Sequence, residues 1–384
     1  MRLLTERQHA RGVADSRPRS EPRVFHTSGW ESIDPSTPVE EETVPSYRPE
    51  KFYPALGYGA SATVWLFRDL LNNRNITLKI YTATTIMPPE IKIYNHLATI
   101  QSEHAGRSCL RPLLEVFQAQ SPLTQRQHTC LLTSLLPGGM MSAAMVRTTI
   151  RNVLAALDFL HTKAKVIHTD LQPNNILLRI KDDSILSDFE QAEFKLPVPR
   201  KTYDNRTICL SRPLPISYGT PVLCDLGEAR LGTDKQRGDI MPDLYRAPEV
   251  ILSMQWDSKV DIWNAGMVIW DLFEHPHLFR ARSDKRDLDD GVHLAEMQAV
   301  LRPPPPEFLG RSERCLLFWD KNGYWKGVLP LPGNGLEARE ERLQGEEKKD
   351  FLRFLRRMLC WLPEDRATAK ELLFDPWLIQ GVFN

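Results

Sequence analysis

Asp170 and Asn175 stand five residues apart in His168-Thr169-Asp170-Leu171-Gln172-Pro173-Asn174-Asn175, and Ile176-Leu177-Leu178 follows directly. Pro173 between them makes a stiff loop that runs into an apolar strand, not one face of a helix. A carboxylate in such a loop can accept a hydroxyl proton, and an amide oxygen can hold a hard cation. A second carboxylate, Asp225 in Asp225-Leu226-Gly227, follows the strand-like Val222-Leu223-Cys224. Lys79 lies inside an apolar run, between Leu78 and Ile80, where an unpaired ammonium is expensive. Glu90, just after Pro88-Pro89, is its expected partner. Carboxylate and amide oxygens for Mg²⁺, a cation for phosphate oxygens and a carboxylate to orient an attacking hydroxyl together describe phosphoryl transfer. Asp188 in Asp188-Phe189-Glu190 is a rival metal ligand, much nearer to Asp170 in the chain. Glu190 lacks the conformational freedom of glycine, and no strand pattern precedes Asp188, so Asp225 is the expected ligand.

These residues need elements to hold them. Leu56-Gly57-Tyr58-Gly59-Ala60-Ser61-Ala62-Thr63-Val64-Trp65-Leu66-Phe67, the turn Asn72-Asn73 and Ile76-Thr77-Leu78-Lys79-Ile80-Tyr81 read as a hairpin and a third strand. Dinucleotide and P-loop sites instead run from strand through a glycine turn into a helix. In the hairpin form, Gly57 and Gly59 let backbone amides approach phosphate oxygens while Lys79 reaches them from the third strand. Pro88-Pro89 opens a helix that carries Glu90, Ile91, Ile93, Tyr94 and Leu97. Leu113 to Phe117 and Cys130 to Leu135 add two strands and complete a small antiparallel sheet. Pro137-Gly138-Gly139 breaks the chain where a hinge would fall. Beyond it helices dominate, beginning with Val146 to His161, whose Ile150, Val153, Leu154, Leu157 and Leu160 have core-facing spacing. Ile262 to Phe273 and Phe351 to Leu359 read as buried helices, and Pro303 to Pro306 as a stiff loop.

Composition narrows the class. Lys plus Arg number 49, as do Asp plus Glu, so no global charge points to nucleic acid or a membrane surface. The six cysteines contain no CxxC pair, which argues against a zinc site or a disulfide framework and for a reducing compartment. No apolar run is long enough to span a bilayer, and Leu3-Leu4 is too short for a secretory signal. Residues 1–48 mix Arg, Ser, Glu, Pro and Thr without periodicity and read as a disordered tail. Arginines near the start suit mitochondrial targeting, but Glu6, Asp15 and Glu21 oppose it.

From about Tyr47-Arg48-Pro49 to Trp377 the chain resembles the eukaryotic protein kinases, and within them the fungal branch of kinases that phosphorylate serine/arginine-rich splicing factors. Thr169-Asp170-Leu171-Gln172-Pro173, Pro221-Val222-Leu223-Cys224-Asp225-Leu226-Gly227-Glu228-Ala229-Arg230 and Pro242-Asp243-Leu244-Tyr245-Arg246-Ala247-Pro248-Glu249 carry the resemblance. It implies an α+β, bilobal kinase fold, with an antiparallel β-sheet small lobe over 49–136 and a mainly helical large lobe over 137–384. Asp182 to Gly219, rich in proline and charge, reads as an insertion in the large lobe that leaves the core and returns. Lys79 and Glu90 would be the nucleotide-orienting pair, Asp170 the catalytic aspartate, and Asn175 and Asp225 the magnesium ligands. Gly57, Gly59, Val64, Thr133 and Leu135 would contact ATP. Asp261 would brace the catalytic loop, and Glu249 would pair with Arg366.

The resemblance further implies ATP and Mg²⁺ as cofactors, arginine/serine-rich proteins as substrates, a role in regulating mRNA splicing, a monomer, and a cytoplasmic or nuclear site. Asp284, Asp287, Asp289, Asp290 and Glu296 would form an acidic docking patch, pairing bidentately with substrate arginines. Because Arg280, Arg282, Lys285 and Arg286 interleave with them, a solvated face is the competing reading. A catalytically weak, kinase-like scaffold for arginine-rich partners is the alternative function. A small-molecule phosphotransferase fits the Ala247-Pro248-Glu249 segment and the helical tail less well. Three positions depart from the usual kinase pattern. Ala62 replaces the third glycine of the phosphate loop, Gln172 a lysine, and Thr169 the arginine that reads a phosphorylated activation segment. Thr233 is the one hydroxyl besides Tyr245 between Asp225 and Glu249, so the active state is expected to assemble without phosphorylation.

Overall fold

The computed structural model describes residues 55–380 except 59–61, 70–73, 83–86, 121–126, 134–142, 181, 183, 204–205, 210–211, 213–218, 233–234, 275–276, 284, 328–330, 332 and 334. The tail reading, Tyr47-Arg48-Pro49, Gly59, Leu135, the proposed hinge, Thr233 and Asp284 therefore lie outside the described residues.

Strands β1 (Ala55–Tyr58), β2 (Ala62–Asp69) and β3 (Arg74–Tyr81) precede helix α1 (Pro89–Thr99), and β4 (Leu113–Gln120) and β5 (Gln127–Thr133) follow it. They form one antiparallel sheet in the order β1-β2-β3-β5-β4. β-branched and aromatic residues supply its strands, and alternate side chains take opposite faces. Val64 lies opposite Lys79 and Leu66 opposite Thr77, so these four share a face, while Trp65 pairs with Leu78 on the other. Both faces are covered, since Leu66, Leu78 and Ile80 are all buried.

Helix α2 (Ala143–Phe159) passes into a π-turn, Leu160–Ala164, so the predicted helix Val146 to His161 changes winding before His161. Short strands β6 (Val166–Ile167) and β7 (Ile176–Leu178) flank the catalytic-loop motif. Helix α3 (Ser184–Lys195) and a hairpin of β8 (Arg200–Tyr203) with β9 (Arg206–Cys209) come next. Then follow β10 (Pro221–Leu223), which pairs with β7, and β11 (Arg230–Leu231), which pairs with β6. Helices α4 (Pro248–Ile251), α5 (Lys259–Phe273) and α6 (Asp290–Leu301) continue the chain, and further helices lead to Ile379. Every residue of α5 from Val260 to Trp270 is buried, as expected of a helix that is apolar nearly all round. Among the described residues, no helix is long and apolar enough to cross a membrane.

The chain divides into two compact units that do not follow the contiguous split expected from sequence. The smaller holds residues up to 91 with 111–138 and 178–219; the larger holds 92–110, 139–177 and 220–384. The insertion thus belongs with the sheet, not the helical unit. The physical reason is apolar contact: Leu186 and Phe189 of α3 pack against Leu66 of β2, and all three are at most 2% exposed. Burying side chains of this size is worth roughly 2 kcal/mol each, so the segment is held in place and does not simply leave the core.

Candidate active site

In the small unit, β3 presents Lys79 and Tyr81 on one face because they are two residues apart. Glu90 sits in the first turn of α1, where an acidic side chain complements the helix dipole. The Lys79 ammonium lies 2.9 Å from Glu90 Oε2, and the Tyr81 hydroxyl donates to the same oxygen at 2.6 Å. The ammonium also lies 5.3 Å from the Tyr81 ring centroid. Burial, reinforced by the Glu90 charge, pushes the Tyr81 phenol well above its ordinary range, so it remains a donor. Tyr81 is a site residue that the motifs did not reveal, although its spacing from Lys79 carries the signal. Gly57 pairs with Val64 across β1 and β2, and Thr133 closes β5 opposite Thr77.

In the large unit, the catalytic-loop motif hangs from one buried carboxylate. Asp261 of α5 is fully buried and accepts hydrogen bonds at 2.8 Å from the amides of His168 and Thr169 and from His161 Nε2. Burial alone would raise its pKa, but the His161 hydrogen bond and charge, with His168, hold it below the aspartate range. The π-turn places His161, a further contributor missed in the sequence; such turns recur at functional sites. His168 Nδ1 accepts from the Asp170 amide at 3.3 Å, so Nε2 carries the proton donated to the Cys224 carbonyl at 3.1 Å. This bond ties the loop to the segment that carries Asp225. Thr169 (φ 63°) donates its hydroxyl to the Glu228 carbonyl at 2.7 Å and fastens the same segment a second time.

Asp170 is gripped on both oxygens. Gln172 Nε2 donates to Oδ1 at 3.0 Å, and Asn175 Nδ2 donates to Oδ2 at 2.8 Å and to the Asp170 carbonyl at 2.8 Å. Because the Asn175 nitrogen is turned to Asp170, its Oδ1 is the atom left to face a cation. Burial raises the Asp170 pKa, and the charge of Asp225 adds to this against His168, Asn175 and Gln172. Asp225 therefore lies close enough for its charge to be felt. It adopts a left-handed backbone (φ 62°), and its Oδ1 accepts from the Gly227 amide at 3.3 Å. Among the described residues no three His, Cys, Asp or Glu side chains form a metal cage. One carboxylate with an amide oxygen is instead the hard, incomplete donor set that suits Mg²⁺ when substrate phosphates and water supply the remaining ligands. Asp188 is an exposed residue of α3, which begins with Ser184 and belongs to the small unit.

Glu249 and Arg366 meet in two parallel contacts of 2.6 and 2.7 Å, with the side chains at most 1% exposed. Arg366 also donates to the carbonyls of Cys360 and Lys259 and lies 5.1 Å from the Trp263 ring centroid. The segment before Glu249 is fixed by Asn264 donating to the Tyr245 carbonyl at 2.8 Å and by the Tyr245 hydroxyl on Asp271.

The acidic patch is smaller than the sequence suggested. Glu296 is buried, and its Oε2 accepts from the amides of Arg280 and Ala281 at 2.8 and 3.0 Å, so it builds the loop instead of facing a partner. Asp289 caps α6 by accepting from the amides of Gly291 and Val292. Asp290 lies 3.5 Å from Arg314, and Asp287 is exposed.

Residues 51–208 and 216–378 match the protein kinase domain model. The chain belongs to the protein kinase family. This kinase is 41% identical over 391 residues to a serine/threonine protein kinase of Aspergillus fumigatus, covering 94% of this chain and 96% of that one. It is 28% identical to the serine/threonine-protein kinase SRPK of Physarum polycephalum, over 84% of each chain. A crystal structure of a kinase domain superposes with a TM-score of 0.63 at 21% identity, covering 85% of the kinase and 94% of that chain, a likeness of fold. The small unit's antiparallel sheet and the large unit's mostly helical build are the two lobes of that fold. Catalysis of phosphoryl transfer to protein substrates follows from membership, and protein kinases use ATP and Mg²⁺.

Proposed function

We propose that this kinase transfers the γ-phosphoryl group of ATP to serine and threonine hydroxyls of arginine/serine-rich proteins. The observation that carries the chemistry is the Asp170 carboxylate, held on both oxygens by Gln172 and Asn175 beside Asp225. Asn175 Oδ1 and the Asp225 carboxylate would hold Mg²⁺, which when bound supplies charge neutralisation on the phosphate oxygens. Lys79, steadied by Glu90 and Tyr81, would pair with the nucleotide phosphates. Asp170 accepts the proton of the attacking hydroxyl as the hydroxyl oxygen bonds to the γ-phosphorus and the bond from that phosphorus to the bridging oxygen breaks, ADP departing with the electron pair. Its two amide contacts fix the orientation of the carboxylate without placing a positive charge there. Gln172 thus serves the base directly, which makes its departure from lysine compatible with turnover.

Thr169 supports a second part of the reading, that the active state assembles without phosphorylation. Its hydroxyl bonds the Glu228 carbonyl, a local tie where other kinases use arginine and phosphate. Phosphatase-treated enzyme is expected to keep its activity within about twofold, since no arginine–phosphate contact is needed; loss of most activity would contradict this.

For substrate choice, the motif resemblance and the Physarum relative favour arginine-rich sequences, with Asp287 the most exposed carboxylate among the described residues of the patch. An arginine-serine peptide is expected to outcompete a lysine-serine peptide, because guanidinium offers a planar fork. Replacing Asp287, Asp289 and Asp290 together by asparagine should raise the peptide KM about threefold to tenfold and flatten its salt dependence, with the ATP constants little changed. Asparagine keeps the cap on α6, so the helix stays formed. Unchanged peptide kinetics would remove the patch from substrate binding, and equal use of both peptides would remove the arginine preference.

A further inference from the structure

The insertion interrupts the chain between Asn175 and Asp225, yet it folds with the small unit. Its ends are pinched together: a Cβ on Gly219 would lie 1.7 Å from the Arg179 carbonyl oxygen, so no larger residue fits. The Asp182 carboxylate accepts from the Ser184 amide at 2.9 Å where α3 begins. In the last turn of α3, Glu193, 1% exposed, accepts from the Val198 amide at 3.0 Å and from Arg212 Nε at 2.8 Å. A charge so deeply buried is tolerated only when paired, and here it clasps the returning chain to the helix. Between these fastenings Leu186 and Phe189, three residues apart and so on one side of the helix, pack on Leu66, with Ile180 against them.

Leu66 lies opposite Thr77, two pairs along from Val64 opposite Lys79 and so on the same face. The insertion therefore covers the same sheet face that carries Lys79, immediately beside Val64. We propose that Leu186 and Phe189 are positioning residues for the nucleotide base. By fixing Leu66 they hold the stretch of β2 in which half-buried Val64, two residues before it on the same face, meets the apolar face of a purine, while Lys79 keeps its separate hold through Glu90 and Tyr81. This rests on the ATP reading above. It assigns to the insertion a share of nucleotide affinity that no catalytic motif reveals.

Phe189→Ala in the full chain should weaken Mg·ADP binding, read by calorimetry, about tenfold and raise the KM for ATP by a similar factor, as a cavity opens beside Leu66. Peptide KM and kcat should stay within about twofold, because the large-unit residues are untouched. Phe189→Leu, which refills most of the space, should restore affinity to within about threefold. Mg·tripolyphosphate, which has phosphates but no base, should bind wild type and Phe189→Ala alike. Leu186→Val serves as the milder variant should Phe189→Ala not fold. Wild type that fails to bind Mg·ADP would remove the underlying ATP reading. Wild type that binds, with variants that bind equally well, would overturn the positioning role alone. A parallel loss of tripolyphosphate binding would overturn it too, because the effect would then be general.

Discussion

Asp225→Ala lowers kcat by about a thousandfold, and Asp188→Ala leaves most of it. Losing a direct metal contact removes several kcal/mol of charge stabilisation from the transition state, and each 1.36 kcal/mol is about tenfold in rate. Asp225 follows β10, stands in a left-handed conformation and is close enough to Asp170 for its charge to raise the Asp170 pKa. Asp188 is an exposed helical residue between Leu186 and Phe189, which carry the packing of α3. Circular dichroism establishes that both variants are folded, and initial rates across a Mg²⁺ titration give the comparison. Equal losses in the two folded variants would reverse the metal assignment.

Arg366→Met destabilises the protein by about 3–5 kcal/mol, the usual result of stranding one member of a buried ion pair. Glu249 is then left without its bidentate partner at 1% exposure. Replacing both residues, Glu249→Met with Arg366→Met, should recover part of the loss, because no buried charge remains. Recovery stays incomplete because Arg366 also serves the Cys360 and Lys259 carbonyls. Urea unfolding of the wild type, the two single variants and the double variant measures the coupling. Purely additive effects would mean that the two side chains do not act as a pair.

The sequence made some of these features readable and hid others for identifiable reasons. Lys79, Asp170, Asn175 and Asp225 were legible because a polar group inside or directly beside an apolar strand needs a chemical purpose. The five-stranded sheet followed from alternation and glycine turns, and Glu90 from the need to pair Lys79. Tyr81 was within reach of the same alternation, since residues two apart on a strand share a face. The fold of the insertion was not legible. Proline and charge dominate its composition, while its attachment depends on Leu186 and Phe189 meeting Leu66, a residue distant in sequence. Composition likewise placed Glu296 on a surface, whereas two backbone amides draw it inside. The grips of Thr169 and Gln172 depend on left-handed and extended backbone in one loop, which residue type alone does not specify.

Transfer of the γ-phosphate from ATP to an arginine-serine peptide, followed by mass spectrometry of the peptide, tests the central claim most directly. The wild-type protein should convert serine to phosphoserine in the presence of Mg²⁺, stop when the metal is chelated, and lose nearly all conversion in folded Asp225→Ala. Folded wild-type protein that leaves both this peptide and a generic basic peptide unphosphorylated, or folded Asp225→Ala that matches wild type, would contradict the account.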